Sequence, residues 1–233
     1  MNILITRPLL DSEDLMEKLF SLGHKIIHVP TLKISSTKMK PIDPEKYNAF
    51  IFTSANAIKS LKLESLDNKK LCFCVGAITE KIVRQKGYIN TISAGGTVNA
   101  LKNIIINSEK LDKSKVLAYI CGDNITSELD IELKKEGFQI EKIVNYRSDK
   151  IKELNQDTNN LIKNHPPDII FVYSKRSAES FIEITKKYSL KRLMTDSIVM
   201  CISEKVFNVF KQSGWKKIEI FEAGDELKKI NNI

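Results

Sequence analysis

Long apolar runs are missing from this chain of 233 residues. Its apolar runs, such as Ile169-Ile170-Phe171-Val172-Tyr173, fall far short of the roughly 20 residues a membrane-spanning helix needs. The opening Met1-Asn2-Ile3-Leu4-Ile5-Thr6-Arg7-Pro8 has no basic flank ahead of its apolar residues and soon meets Asp11. It reads as a first strand and not as a signal peptide. Arginine is scarce. Only Arg7, Arg84, Arg147, Arg176 and Arg192 contribute to a Lys plus Arg count of 37, which argues against sequence-specific DNA reading, where bidentate arginine contacts dominate. Aromatic residues are 7% of the chain and do not interleave with basic ones, so the stacking surface of a single-strand binder is absent as well. No C-x-x-C occurs, and the three histidines stand far in sequence from the four cysteines, leaving a zinc site without support. Cys72, Cys74, Cys121 and Cys201 read as buried, reduced thiols of a cytoplasmic protein. Walker-type and G-x-G-x-x-G phosphate loops, a G-x-S-x-G elbow and an H-E-x-x-H helix are all missing, which removes the usual nucleotide, hydrolase and metalloprotease readings.

What is present is an ordinary folded composition, 42% hydrophobic and 28% charged. The net charge is +8, which suits an anionic partner. Short apolar runs alternate with amphipathic segments. Ile3–Thr6, Lys25–Val29, Phe50–Thr53 and Leu71–Val75 read as strands, and the segments that follow several of them have helical spacing with glycine stops at Gly23 and Gly87. That alternation indicates βαβ units and parallel sheets flanked by helices.

The chain also repeats itself. Phe50–Leu61 aligns with Ile170–Phe181, Cys74–Tyr88 with Cys201–Trp215, and Ile3–Pro30 with Leu117–Val144. Three matches in consistent pairing point to two similar α/β domains. Polar joints near 35–42 and 147–150 suggest that the chain leaves one domain and later returns to it. The expected division is 1–34 plus 150–233 for a discontinuous first domain and 38–146 for the second, with linkers at about 35–37 and 147–149. Residues 35–149 carry a net charge of +4 and the remainder +4. A cleft between two evenly positive domains is a natural place for an anion. Strand-to-helix corners carrying small hydroxyl residues, such as Thr53-Ser54, Gly76 with Thr79, Tyr173-Ser174 and Ile202-Ser203, would face it. In open α/β sheets ligands bind outside the carboxyl ends of the strands, where free N–H groups and helix dipoles hold anions. For Ser54 and Ser174 singly, simple helix capping is the favoured account of the residue.

Thr6-Arg7-Pro8 after the first strand, Ile51-Phe52-Thr53-Ser54-Ala55-Asn56-Ala57, Val75-Gly76-x-x-Thr79, Gly122 before a helix, Gly137 and then Tyr146 together resemble the uroporphyrinogen-III synthase family over nearly the whole chain. The resemblance implies a monomeric cytoplasmic enzyme of tetrapyrrole (haem) biosynthesis, with two α/β domains joined by a two-stranded linker. Its substrate would be hydroxymethylbilane, a linear tetrapyrrole bearing eight carboxylates, closed to uroporphyrinogen III with inversion of ring D and loss of water. It implies no cofactor, no metal, no nucleic acid and no membrane. Carried over position by position, it makes Tyr146 the catalytic candidate, at the end of a strand beside the domain joint. Arg7, Thr53, Ser54, Ala55, Gly76, Thr79, Gly122, Ser174, Lys175 and Ser203 become substrate-binding candidates. The chain departs from the family pattern at Ile202-Ser203-Glu204-Lys205-Val206-Phe207, where an Ile-Gly-x-x-Thr-Ala turn is expected. The competing reading is a two-domain protein that binds a small anion without chemistry.

Overall fold

Strands that are apolar at every position can only be stable when covered on both faces, and that is how this chain builds its sheets. The structure, a computed structural model, describes residues 1–125 and 127–231. It divides into two units, Met1–Lys33 with Asp149–Ile233, and Ile34–Ser148.

The first unit begins with β1 (Asn2–Ile5), α1 (Glu13–Ser21) and β2 (Lys25–His28). The chain then passes through β3 (Leu32–Ser36) into the second unit, which holds β4 (Ala49–Phe52), α2 (Ala55–Lys59), β5 (Leu71–Cys74), α3 (Ala77–Gln85), β6 (Thr91–Ser93), α4 (Val98–Ile106), β7 (Val116–Gly122), α5 (Leu129–Lys135) and β8 (Gln139–Lys150). It completes the first unit with α6 (Gln156–Asn164), β9 (Ile169–Val172), α7 (Lys175–Lys187), β10 (Ile198–Cys201), α8 (Glu204–Gln212), β11 (Ile218–Ile220) and α9 (Glu226–Asn231).

The first sheet runs β2-β1-β9-β10-β11 and the second β3-β8-β7-β4-β5-β6. Every neighbour pair from β2 to β11, and from β8 to β6, is parallel. The sequence repeats occupy equal places in the two sheets: β1 and β2 correspond to β7 and β8, β9 to β4, and β10 to β5. One doubly wound order therefore occurs twice, entered at a different strand each time. In such an order the ligand crevice opens where adjacent strands are connected in opposite directions. That point lies between β1 and β9 in the first sheet and between β7 and β4 in the second.

Each sheet has a core on both faces. On the second sheet Phe50, Phe52, Cys72 and Cys74 pack under Ile58 and Val83, while Ile51, Phe73 and Tyr119 pack under Leu101, Ile105 and Leu133. On the first, Leu4, Ile170 and Val199 meet Phe181, Phe210 and Trp215, and Ile3, Phe171 and Met200 meet Leu19 and Ile230. Each such side chain contributes roughly 1.5–3 kcal/mol when fully buried. All four cysteines are free and buried.

One local expectation needs correction. Tyr146 does not end a strand, because β8 continues to Lys150. Beyond it, α6 is capped by Asn155, whose side chain accepts from the Thr158 amide, and the helix after Ser54 stops at Lys59.

Candidate active site

In the second unit the site is built on a β-bulge. Cys121 pairs with Val144 and Gly122 with Tyr146, so Asn145 is the extra residue. A bulge breaks the strict in-and-out alternation of a strand. Here it buries two consecutive side chains, Asn145 at 1% and Tyr146 at 8% exposure. The Asn145 amide donates to the Ala57 carbonyl at 2.7 Å, tying the bulge to α2. Its Oδ1 is buried with no partner among the described residues. The Tyr146 ring lies over Gly122 so closely that a Cβ there would stand 2.6 Å from Cζ and 2.9 Å from the hydroxyl. Only glycine leaves that space open.

Beside it, β4 is followed by Thr53, whose hydroxyl pairs with the Tyr119 hydroxyl at 3.2 Å. Burial, only partly offset by that hydrogen bond, pushes the Tyr119 phenol up to about 12. Burial likewise pushes the Cys121 thiol up to about 11, and the nearby Lys142 lowers it only in part. Both groups stay neutral at ordinary pH. Ser54 caps α2, accepting from the Asn56 amide at 3.2 Å. A hydroxyl that accepts still has its proton to donate. Ala55 is the first residue of that helix. Gly76 precedes α3 without a side-chain cap, and a Cβ there would come within 3.1 Å of the Gly96 backbone. Thr79 is buried in the first turn of α3.

In the first unit the same edge is built from hydroxyls and one cation. Thr6, Thr31 and Ser177 are buried and mutually bonded: Ser177 donates to Thr6 Oγ1 at 3.2 Å, its oxygen is paired with the Thr31 hydroxyl, and Thr6 donates to the Phe171 carbonyl at 2.8 Å. The network joins β1 to the start of α7 across the switch point. Ser174 caps α7 and accepts from the Ser177 amide at 3.1 Å. The Arg7 guanidinium carbon sits 3.6 Å from the Tyr173 ring centroid, a cation–π contact that orients a planar cation. The Arg7 carbonyl is bonded to His28 Nε2 at 2.9 Å. Phe221 meets the Tyr173 ring edge-on at 5.5 Å. Burial pushes the Tyr173 hydroxyl well above its ordinary value; Arg7 opposes that shift and Glu226 adds to it. Lys175 is exposed and lies 3.9 Å from Glu179, a weak pair. Ser203 precedes α8 and makes no side-chain cap bond.

A family model described as uroporphyrinogen-III synthase HemD matches residues 13–223. The chain belongs to the uroporphyrinogen-III synthase family. It is accordingly a cyclising lyase of tetrapyrrole (haem) biosynthesis, and the family acts on hydroxymethylbilane. Among solved structures it is similar to uroporphyrinogen-III synthetase from Helicobacter pylori, at 19% identity and a TM-score of 0.66, with 99% of this chain and 98% of that one covered. It is also similar to a mutant uroporphyrinogen III synthase from the extremely thermophilic bacterium Thermus thermophilus, at 14% identity and a TM-score of 0.59, covering 100% and 98%. At these identities the likeness is one of fold. No curated protein matches the chain.

The family's expected positions fall on two sheet edges. Thr53, Ser54 and Ala55 follow β4, Gly76 follows β5 with Thr79 in α3, Gly122 ends β7, and Tyr146 lies in β8. Arg7 follows β1, Ser174 and Lys175 follow β9, and Ser203 follows β10. Each set occupies the carboxyl edge of its own sheet. Sequence reasoning missed Asn145, Tyr119, the stack of Arg7 on Tyr173 and the Thr6–Thr31–Ser177 network. The sequence carries no signal for Asn145: Val144-Asn145-Tyr146-Arg147 alternates apolar and polar, which points Asn145 outward, and only the register shift between β7 and β8 buries it. Among the described residues no three His, Cys, Asp or Glu side chains converge as a metal site, and no helix is long and apolar enough to cross a membrane.

Proposed function

We propose that Tyr146 donates the proton that releases water from hydroxymethylbilane, and that the hydroxyl-bearing corners and Arg7 hold the substrate's carboxylates. The observation that carries this reading is the bulge, which presses the Tyr146 phenol against Gly122 at the carboxyl edge of β7. Departure of the ring A hydroxyl as water, with its proton from Tyr146, leaves an N-protonated azafulvene cation. The substituted carbon of ring D attacks it to give a spiro intermediate. Fragmentation and reclosure invert ring D, and the proton lost on aromatisation returns to the Tyr146 oxygen, so the enzyme ends unchanged. The pyrroles supply the nucleophilicity. The protein's task is to hold both ends of the chain in register and to offer one proton, contributions of general acid catalysis and positioning.

In this reading Ser54 and Ser174 bind carboxylates with the protons their capping role leaves over. Thr53, Ala55, Gly76, Thr79, Gly122, Lys175 and Ser203 shape or complete the same edges. The two units act as domains, with residues 35–37 and 147–149 as the crossings between them. The protein works as a cytoplasmic monomer and has no nucleic-acid partner. The test is to incubate purified protein with hydroxymethylbilane and separate the products. Uroporphyrinogen III is expected; formation of uroporphyrinogen I alone, the uncatalysed product, overturns the reading.

A further inference from the structure

We propose that the first unit carries a second ligand site, at the amino edge of its sheet, that takes a small organic anion with a flat apolar body. A cavity of about 690 Å³ opens among Ile182, Lys186, Ser189, Lys191, Arg192 and Trp215, within the rough 300–1,000 Å³ range of small-molecule sites. Its residues come from the last turns of α7, the segment leading into β10 and the turn leading into β11. In a parallel sheet those segments lie at the amino edge, opposite the edge that carries Arg7, Ser174 and Ser203.

Three features make it a built site. The first is charge. Lys186, Lys191 and Arg192 line the cavity, and no described carboxylate pairs with any of them. The neighbouring acids are engaged elsewhere: Glu183 with Lys150 at 2.9 Å, Glu153 with Lys187 at 2.7 Å and Asp196 with Lys217 at 3.1 Å. The negative pole of α7, worth about half a charge, offsets only part of the three. The second is a fixed donor. Lys191 Nζ donates to the Ser213 carbonyl at 2.6 Å and sits 3.3 Å from where a Cβ on Gly214 would stand. Its ammonium is pinned to the wall with protons to spare. The third is strain. Ser189, with φ at 56°, is the sole non-glycine residue in the left-handed region among those described. It closes α7, a place that favours glycine, yet a hydroxyl stands there at the rim. The floor is apolar: Trp215, 8% exposed, packs on Phe181 and Phe210 with ring centroids at 6.1 and 5.5 Å, and Ile182 lies beside it. Cations around an aromatic floor recognise an anion and a flat body together.

Trp215 is the only tryptophan in the chain, so its indole N–H gives one resonance that reports on this cavity. The ¹⁵N-labelled full-length protein is titrated with 1-naphthyl phosphate, inorganic phosphate and 1-naphthalenemethanol. Naphthyl phosphate should move that resonance to saturation at concentrations at least tenfold below those the other two require. The double variant Lys186→Ala/Arg192→Ala, two exposed positions whose loss leaves the fold intact, should weaken it by at least tenfold and leave turnover of hydroxymethylbilane unchanged. An unmoved indole resonance, equal affinity for either half of the probe, or parent-like binding by the double variant overturns the proposal. None of these outcomes bears on the role of Tyr146.

Discussion

Where β4 ends, Thr53 shares its hydroxyl with Tyr119; where β9 ends, the matching position is Tyr173, and its ring lies under the Arg7 guanidinium. Where β7 ends, Cys121-Gly122 leaves room for the Tyr146 ring; the equivalent end of β1 carries Arg7-Pro8. Gly76 approaches the Gly96 backbone, whereas its counterpart Ser203 carries a side chain that makes no cap bond. Two sheets with one strand order have thus been finished differently at the same edge. The second unit removes side chains to place a buried phenol. The first keeps them to place an oriented cation among fixed hydroxyls. A duplicated scaffold can divide its labour in this way because the corners, unlike the strands beneath them, contribute little to the core.

The sharpest way to break that division is Tyr146→Phe. Turnover should fall at least on the order of 10²-fold, the usual loss for a general acid, with the thermal midpoint nearly unmoved. A loss of only a few-fold would mean that the second edge is not where the chemistry happens. Gly122→Ala comes next. Its Cβ would displace the Tyr146 ring, so both turnover and stability should fall, the latter by about 1–3 kcal/mol in urea denaturation, as for other overpacked sites. Arg7→Gln addresses the other edge. It should raise KM about tenfold and leave kcat within a few-fold, the pattern of lost uniform binding. A fall in kcat with KM unchanged would move Arg7 to the reaction and erase the contrast.

The scaffold was legible in the sequence because it follows from periodicity. Apolar strands such as Ala49–Phe52 and Ile169–Val172 must be buried on both faces, and glycine stops such as Gly23 and Gly87, at φ of 82° and 101°, end their helices as expected. The paired serines were legible too, since Ser54 and Ser174 do cap their helices. What escaped depends on distance in sequence. Thr6 and Ser177 are 171 residues apart, as are no two members of any local motif. The Tyr173–Arg7 stack joins the ends of two strands that become neighbours only in the sheet. The bulge at Asn145 is a register event between β7 and β8, and register is invisible until the partner strand is in place. Tyr146 itself was found through the family pattern; its burial over Gly122 was not.

The smallest contrast is between the two caps. Ser54 opens a helix of five residues and Ser174 one of thirteen, and each accepts one amide proton at 3.2 and 3.1 Å. If capping were their whole role, Ser54→Ala and Ser174→Ala would each cost about 1 kcal/mol of stability and leave KM alone. If the remaining hydroxyl proton also reaches a carboxylate, KM should rise as well, by a few-fold for each. Ser54→Ala is then expected to affect KM more cleanly, because Asn145 holds α2 independently through the Ala57 carbonyl. Ser174 has no such support: it bonds the Ser177 amide while the Ser177 hydroxyl anchors Thr6, so its loss loosens the network that positions the Arg7 strand. Urea denaturation and steady-state kinetics on the two variants, measured side by side, separate a cap from a ligand. Equal KM values in parent and both variants would reduce the serines to caps and leave anion binding to Arg7.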